Sequence, residues 1–524
     1  MALRYWVGGT GTWDAANTAN WSATSGGAGG ASVPTAVDFA TFNASSGGGV
    51  VTLGLDVPCQ GLDIRGFTGT FDFSTFVVNS EGSALIVVRQ DGTATVIGTK
   101  TVNLNYSGAV GTRTISAITT SEANSLNINV TAGTDIVSLS STGNYRNLNF
   151  TGFAGTLSST TSNNIYGSLT LSTGMTVGTL GGTLTFAATS GTQQITTNGK
   201  TLDFPITQNS PGATLQLQDN LTMGSTRTFT LTAGTLDLVD KTLSTGVFNS
   251  SNSNVRSIAF GTGNITVTGS GVTIFNASTG TNFTNTGTSA INCTYAGSTG
   301  TRTINVSAAI LPTLNFNISA GSDVVTLGSS YYNNLDFTGF SGSWTNSATR
   351  FTGNLTVSTG MTVSAGTNTV IFLGTTGAQQ ITTNGKTLDF PISFNGIGGT
   401  FAFQDSLTQG STRAFTITNG TVQLKNGVTS TVGVFATSGT NQKFLQSTTL
   451  GSQATLSQAS GTVSVSYLTI QDINVVGGAS WNAYTDFENV DDGNNDGWNF
   501  SLSPPYASYE PPIIIRSFTQ PRRF

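Results

Sequence analysis

Carboxylates are the groups best able to do chemistry in this chain, because it contains no histidine. That absence removes Ser-His-Asp and Cys-His nucleophile activation, His-ligated zinc and imidazole acid–base work. Two acidic pairs stand out, Asp203 with Asp219 and Asp389 with Asp405, each separated by 16 residues. Glycan-cleaving enzymes need only two carboxyl groups, placed about 5–9.5 Å apart. Such a pair on adjacent turns of chain would form a depolymerase cleft. The alternative is structural: Asp203 and Asp389 follow NGKT corners, and Asp219 and Asp405 sit in the turns QDN and QDS. Catalytic pairs are seldom duplicated intact along one chain. The expectation is therefore corner aspartates and no enzyme, with Lys200 and Lys386 as solvated corner residues.

A second acidic group, Asp486, Glu488, Asp491, Asp492, Asn494, Asn495 and Asp496, offers oxygen ligands. Calcium could be held by Asp491, Asp492, Asn494 and Asp496. The register of an EF-hand loop is missing, since the glycine is misplaced and no terminal glutamate follows. A turn-rich closure of the last coil is the simpler expectation, with no other cofactor. Arg113 and Arg302, like Arg227 and Arg413, recur with their surrounding sequence and are expected at coil faces or between subunits. Tyr166, Tyr331, Tyr332 and Trp344 could stack on sugars if exposed, although aromatics in a solenoid are more often core. Of Tyr331 and Tyr332, one must point outward, because adjacent strand residues face opposite sides. Cys59 and Cys293 are far apart and read as small buried hydrophobes.

The elements that must carry these residues are strands. Charged residues are 8% of the chain, against a usual share of about 25%. Hydrophobic residues are 37% and phenylalanine alone supplies 31, so this is not a disordered composition. The net charge of −5 is spread thinly with no basic stripe, which disfavours nucleic-acid binding. No run approaches the ~20 apolar residues of a membrane helix, and the opening MALRYWVGGTGTW lacks an apolar stretch of signal-peptide length. In TRTFTLTAGTLDL, apolar Phe229 and Leu231 alternate with threonine, Gly234 turns the chain, and Leu236 and Leu238 resume the alternation. Strands of this grammar recur about every 8–12 residues.

The chain also repeats itself. QQITTNGKTLDFPI starts at Gln193 and again at Gln379, a displacement of 186. GTRTI starts at Gly111 and Gly300, and NLNFTGFAG at Asn147 matches NLDFTGFSG at Asn334. A fainter third copy, LDIRGFTGTFDF from Leu62, aligns Phe67 with Phe153 and Phe340. Short strands without obvious linkers favour an all-β, elongated β-solenoid, parallel and β-helix-like, over a string of sandwiches. Coils of roughly 20–25 residues would give about 20 turns and a rod of ~100 Å. The expected divisions are an N-terminal cap at 1–50, a first solenoid unit at 51–290, the duplicated unit at 291–475, a C-terminal cap at 476–500 and an extended tail at 501–524. Pro504, Pro505, Pro511 and Pro512 keep that tail extended. Its apolar and basic residues Ile513, Ile514, Ile515, Arg516, Phe518, Arg522 and Arg523 read as a docking strap for another protein.

The opening YWVGGTGTWDAANTANWS, the GTLDL and STRTFT coils and the closing GGASWNAYTDFENVDDGNNDGWNF resemble β-helical repeat proteins of phage particles, of the fibre and tailspike kind. They are also similar to repeats of bacterial surface and autotransporter passenger proteins. The resemblance implies a homotrimeric virion subunit, assembled in the host cytoplasm and touching a host-surface glycan. Phage fibres commonly attach by a distinct N-terminal anchor, whereas the strap here is C-terminal, so attachment to other virion proteins through residues 501–524 and a head-decoration role both stay open. The same scaffold would serve a bacterial adhesin or a polysaccharide depolymerase.

Overall fold

The computed structural model of the chain describes residues 1–503 except 84–85, 120, 141, 289, 308–313 and 329. Strands Phe39–Thr41, Val50–Leu53 and Val57–Cys59 make one turn. Gly61–Asp63, Thr70–Asp72 and Val77–Ser80 make the next and lie on them in parallel register, Ala40 on Leu62, Val51 on Phe71 and Val57 on Val78. The pattern continues for about 20 turns, a parallel β-solenoid. At the ~4.8 Å spacing of hydrogen-bonded strands, that is a column of about 100 Å. One pairing between strands departs from it among the described residues: Leu3–Trp6 lies antiparallel to Trp21–Ser22, closing the N-terminal edge.

Alternation explains the inside and the outside. In Thr228–Asp237 the side chains of Phe229, Leu231 and Leu236 are buried while the threonines between them are half-buried on the outer face. Because each coil repeats the alternation in register, like residues stack on like. Phe229, Phe248, Phe275, Phe316, Tyr332, Phe351, Phe372, Phe394, Phe415 and Phe435 follow one another up the interior with ring centroids 5.1–6.1 Å apart. Trp481 and Trp498 end that run, as Trp6, Trp13 and Trp21 around Phe42 end the core at the other pole. Outside, asparagines form amide ladders: Asn103 donates to Asn79 at 2.9 Å and Asn129 to Asn103 at 3.0 Å. Such ladders join coils through side chains as well as backbone.

A single hydrophobic core runs from Trp6 to Ala483. The first fifty residues belong to it: Leu3–Trp6 pairs with Phe39–Thr41, and Gly11–Trp13 pairs with Val50–Leu53. The solenoid therefore begins within the segment expected to be a cap.

The three copies of G-F-x-G share one geometry. Gly66, Gly152 and Gly339 have φ of +72°, +94° and +93°, a conformation that side chains rarely adopt. The second glycine of each motif lies under the phenylalanine ring and against the carbonyl of the coil below. A Cβ on Gly342 would fall 2.0 Å from the Asp323 carbonyl oxygen and 2.6 Å from Phe340 Cζ; Gly69 and Gly155 are equally confined. The faint third copy at Leu62 is thus a true structural repeat. Gly342→Ala is expected to cost about 1–3 kcal/mol through overpacking. Hydrogen exchange of the coils carrying Asp323 and Gly342 reads this directly, and unchanged protection there would refute it.

Candidate functional site

The duplicated acidic residues serve the corners of the coils. Asp203 accepts from Arg227 Nε at 2.8 Å and Asp389 from Arg413 Nε at 2.7 Å, both near the surface. The guanidinium beside Asp203 holds its carboxyl below the ordinary aspartate value. Asp219 and Asp405 do different work. They accept the backbone N–H groups of Thr197 and Thr383, each at 2.9 Å, and of Asn198 and Asn384 next to them. Those asparagines are left-handed, at φ +50° and +49°, so the carboxylate satisfies a turn the strand ladder cannot. Each aspartate of a pair is engaged by a different local partner, which is the corner arrangement expected from NGKT and QDN.

At the C-terminal end, Asp491 Oδ1 accepts from Gly493 N and from Asn495 Nδ2, Asp496 Oδ2 accepts from Gln453 Nε2 at 2.9 Å, and Asn494 Nδ2 donates to Asp472 Oδ1. Asp492 N donates to the Ile470 carbonyl. Among the described residues no group of three or more His, Cys, Asp or Glu side chains is placed to hold a metal ion. The segment works as a set of side-chain-stapled turns over the last coil. The strap residues Ile513, Ile514, Ile515, Arg516, Phe518, Arg522 and Arg523 lie outside the described residues; the described chain approaches them with Ser503 donating to the Asp486 carboxylate.

One expectation is corrected. Arg113 and Arg302 are not at coil faces but wholly inside. Arg113 is bidentate to Asp135, Nε at 2.8 Å and Nη2 at 2.7 Å, and lies between the rings of Tyr106 and Phe153. Arg302 repeats this with Asp323, at 2.7 Å through both nitrogens, between Tyr295 and Phe340. Trp344 is likewise buried, packed 5.5 Å from Phe337 and 5.3 Å from Phe390, so it offers no sugar platform. Tyr332 is buried and donates to the Ile304 carbonyl, whereas Tyr331 faces outward under the Arg350 guanidinium. Tyr166 is half-buried.

Cys59 and Cys293 are both buried and unpaired. Burial pushes the Cys293 thiol up to about 12 and raises that of Cys59 as well. Iodoacetamide at mildly alkaline pH is therefore expected to leave both unlabelled in the native protein and to modify both after unfolding; mass spectrometry counts the adducts. Labelling of either thiol without unfolding would contradict the buried placement.

One outer-face cluster has no counterpart among the sequence expectations. In successive coils Tyr5 pairs with Thr41, Thr41 with Asp63 and Asp63 with Arg89. Asn43 and Arg65 lie two residues beyond the ends of the strands that carry Thr41 and Asp63. Together with Leu3 they line a surface hollow of about 300 Å³. Arg65 is fixed by Asp63, Nε at 2.9 Å and Nη2 at 2.7 Å, while Arg89 reaches the same carboxylate only at 3.4 Å. The available signal was charge itself: a chain with 8% charged residues puts Asp63 and Arg89 on neighbouring strands and Arg65 in the turn after Asp63. Compared with family models, curated proteins and solved structures, the chain finds no match.

Proposed function

We propose that this chain is a structural subunit of a phage particle, a fibre, spike or decoration protein that presents a long β-solenoid for contact with a host surface without breaking bonds. The observation that carries the reading is the uninterrupted core from Trp6 to Ala483, with aromatic closures at both ends. A column stabilised coil on coil resists bending, since every turn contacts its neighbours through backbone ladders, ring stacks and amide ladders. The sequence resemblance to fibre and tailspike repeats supports the same role. In this reading the subunit is a homotrimer and the strap at 501–524 joins it to other virion proteins.

Immunogold electron microscopy of particles from the source culture tests it. Gold on particle projections or shells, with rods of about 100 Å from the purified chain, is the expected result. Gold confined to the bacterial envelope would replace the particle role with an adhesin. The oligomer is tested by light scattering, with about three times the 53.8 kDa chain mass expected. Removing residues 501–524 should leave β-rich circular dichroism intact while abolishing incorporation into particles.

A further inference from the structure

The geometry points to the hollow formed by Tyr5, Thr41, Asn43, Asp63, Arg65 and Arg89 as a binding site for the carboxylate-bearing sugar of an acidic glycan. This deepens the host-contact reading proposed above and rests on it.

Three features of the hollow carry the inference. The first is the distribution of charge. The chain has only 19 Lys and Arg residues in 524, and outer ladders elsewhere are mostly Thr, Ser and Asn, as in Thr192, Thr214, Thr235, Ser257 and Thr284. Here two guanidinium groups share the one carboxylate of the lining, while Asp91, whose charge also acts on Arg65, lies outside it.

The second is the unequal use of the two arginines. Arg65 is locked in a bidentate pair at 2.7 and 2.9 Å. Arg89 has one long contact of 3.4 Å to the same Asp63, and its buried Nε has no partner. A guanidinium carries five donors in a planar fork suited to a carboxylate. Leaving them under-used beside a concave surface is costly unless water or a ligand takes them up. The side chain of Arg89 is 31% exposed, so its outer nitrogens are reachable.

The third is what surrounds the cation. The half-buried Tyr5 ring borders the hollow from the first coil, and Thr41 and Asn43 add a hydroxyl and an amide. An aromatic ring for a sugar face, small polar groups for its hydroxyls and a guanidinium for its carboxylate are the complement of a hexuronate residue. The volume of about 300 Å³ suits one or two sugar units. Tyr5, Thr41, Asp63 and Arg89 stand on paired strands, and Arg65 is held by its bidentate contact to Asp63, which fixes their spacing before any ligand arrives.

The test uses the full chain and isothermal titration with galacturonate oligomers, their carboxyl-reduced neutral counterparts, and acetate. The expected result is saturable binding of the galacturonate oligomers, at least about tenfold weaker for Arg89→Ala, as for loss of a charged hydrogen bond. Arg89→Lys should recover only part of that loss, because an ammonium cannot make the fork. Tyr5→Ala should weaken the oligomers while leaving any acetate binding unchanged, which separates a sugar site from a simple anion site. Circular dichroism confirms that the variants are folded. Equal binding of the neutral oligomers, no binding of the acidic ones, or an unaffected Arg89→Ala variant would overturn the assignment. If titration fails while gold still marks particle surfaces, the ligand is wrong and the display role stands. If titration succeeds while gold is absent from particles, the display role falls and the sugar site stands.

Discussion

Asp323→Ala is expected to destabilise the coils around it by about 3–5 kcal/mol, the cost of stranding a buried charge. Both side chains of the Arg302–Asp323 pair are completely shielded from solvent. Without the carboxylate, the Arg302 guanidinium keeps one carbonyl partner, Ala320 at 2.9 Å, and the two flanking rings, while its Nη1 has no partner even now. Arg113 in the first copy is better supplied, with carbonyls of Leu104 at 3.1 Å and Ala132 at 2.8 Å. Asp135→Ala should therefore cost less than Asp323→Ala. A solenoid frays segment by segment, so the measurement is hydrogen exchange across Thr301–Val306 and Val324–Leu327 rather than one melting temperature. The double substitution Arg302→Met with Asp323→Leu should recover most of the loss, because the desolvation cost disappears with the charges. Asp203→Ala is the contrast: it breaks a solvent-exposed pair with Arg227 and should cost about 0–1 kcal/mol. Equal effects of Asp323→Ala and Asp203→Ala would refute the buried-pair account.

The parallel solenoid was legible because its two signals are local and periodic. Alternation in stretches such as TRTFTLTAGTLDL fixes which face is inside, and the duplicated segments state that the same coil geometry recurs. The corner role of Asp219 and Asp405 was legible for the same reason, since NGKT and QDN are turn chemistry. The two arginines were misplaced because residue type was weighed above alternation. Charged groups are usually exposed, yet Arg113 lies at an inward position of Thr112–Ala117. Its partner Asp135 is 22 residues away, one coil further on, where no local pattern links them. Trp344 shows the same point from the apolar side: in Ser343–Asn346 the alternation puts Trp344 inward, and the ring follows the alternation. The hollow at Arg89 was illegible as a site because Tyr5, Asp63 and Arg89 meet only through coil stacking, across spans that depend on loop lengths between turns.

Phe394→Ala is expected to cost about 3–5 kcal/mol, the usual range for truncating a buried phenylalanine. Its ring is fully buried and stands 5.3 Å from Phe372 below, 5.1 Å from Phe415 above and 5.2 Å from Phe401 beside it. Removing it opens a gap in the aromatic column that neighbouring coils cannot close, because their backbones are pinned in parallel register by Ile392–Phe403 and Ala414–Leu424. The first copy has Gln208 at the matching position, buried and donating to the Thr235 carbonyl, so the column of rings begins only at Phe229 in that half. The second half should accordingly depend on ring packing more than the first. Phe394→Leu refills most of the volume and should cost no more than about 1.5 kcal/mol. Phe444→Ala, on the outer face at 39% exposure, should cost less again. Coupling between adjacent coils means that the damage spreads: protease sites near Phe394 should open before those near either end, cutting the rod into two pieces that sizing gels resolve. Intact rods under conditions that cleave nothing in the wild type, together with a Phe394→Ala loss no larger than that of Phe444→Ala, would show that the rings do not hold the column together.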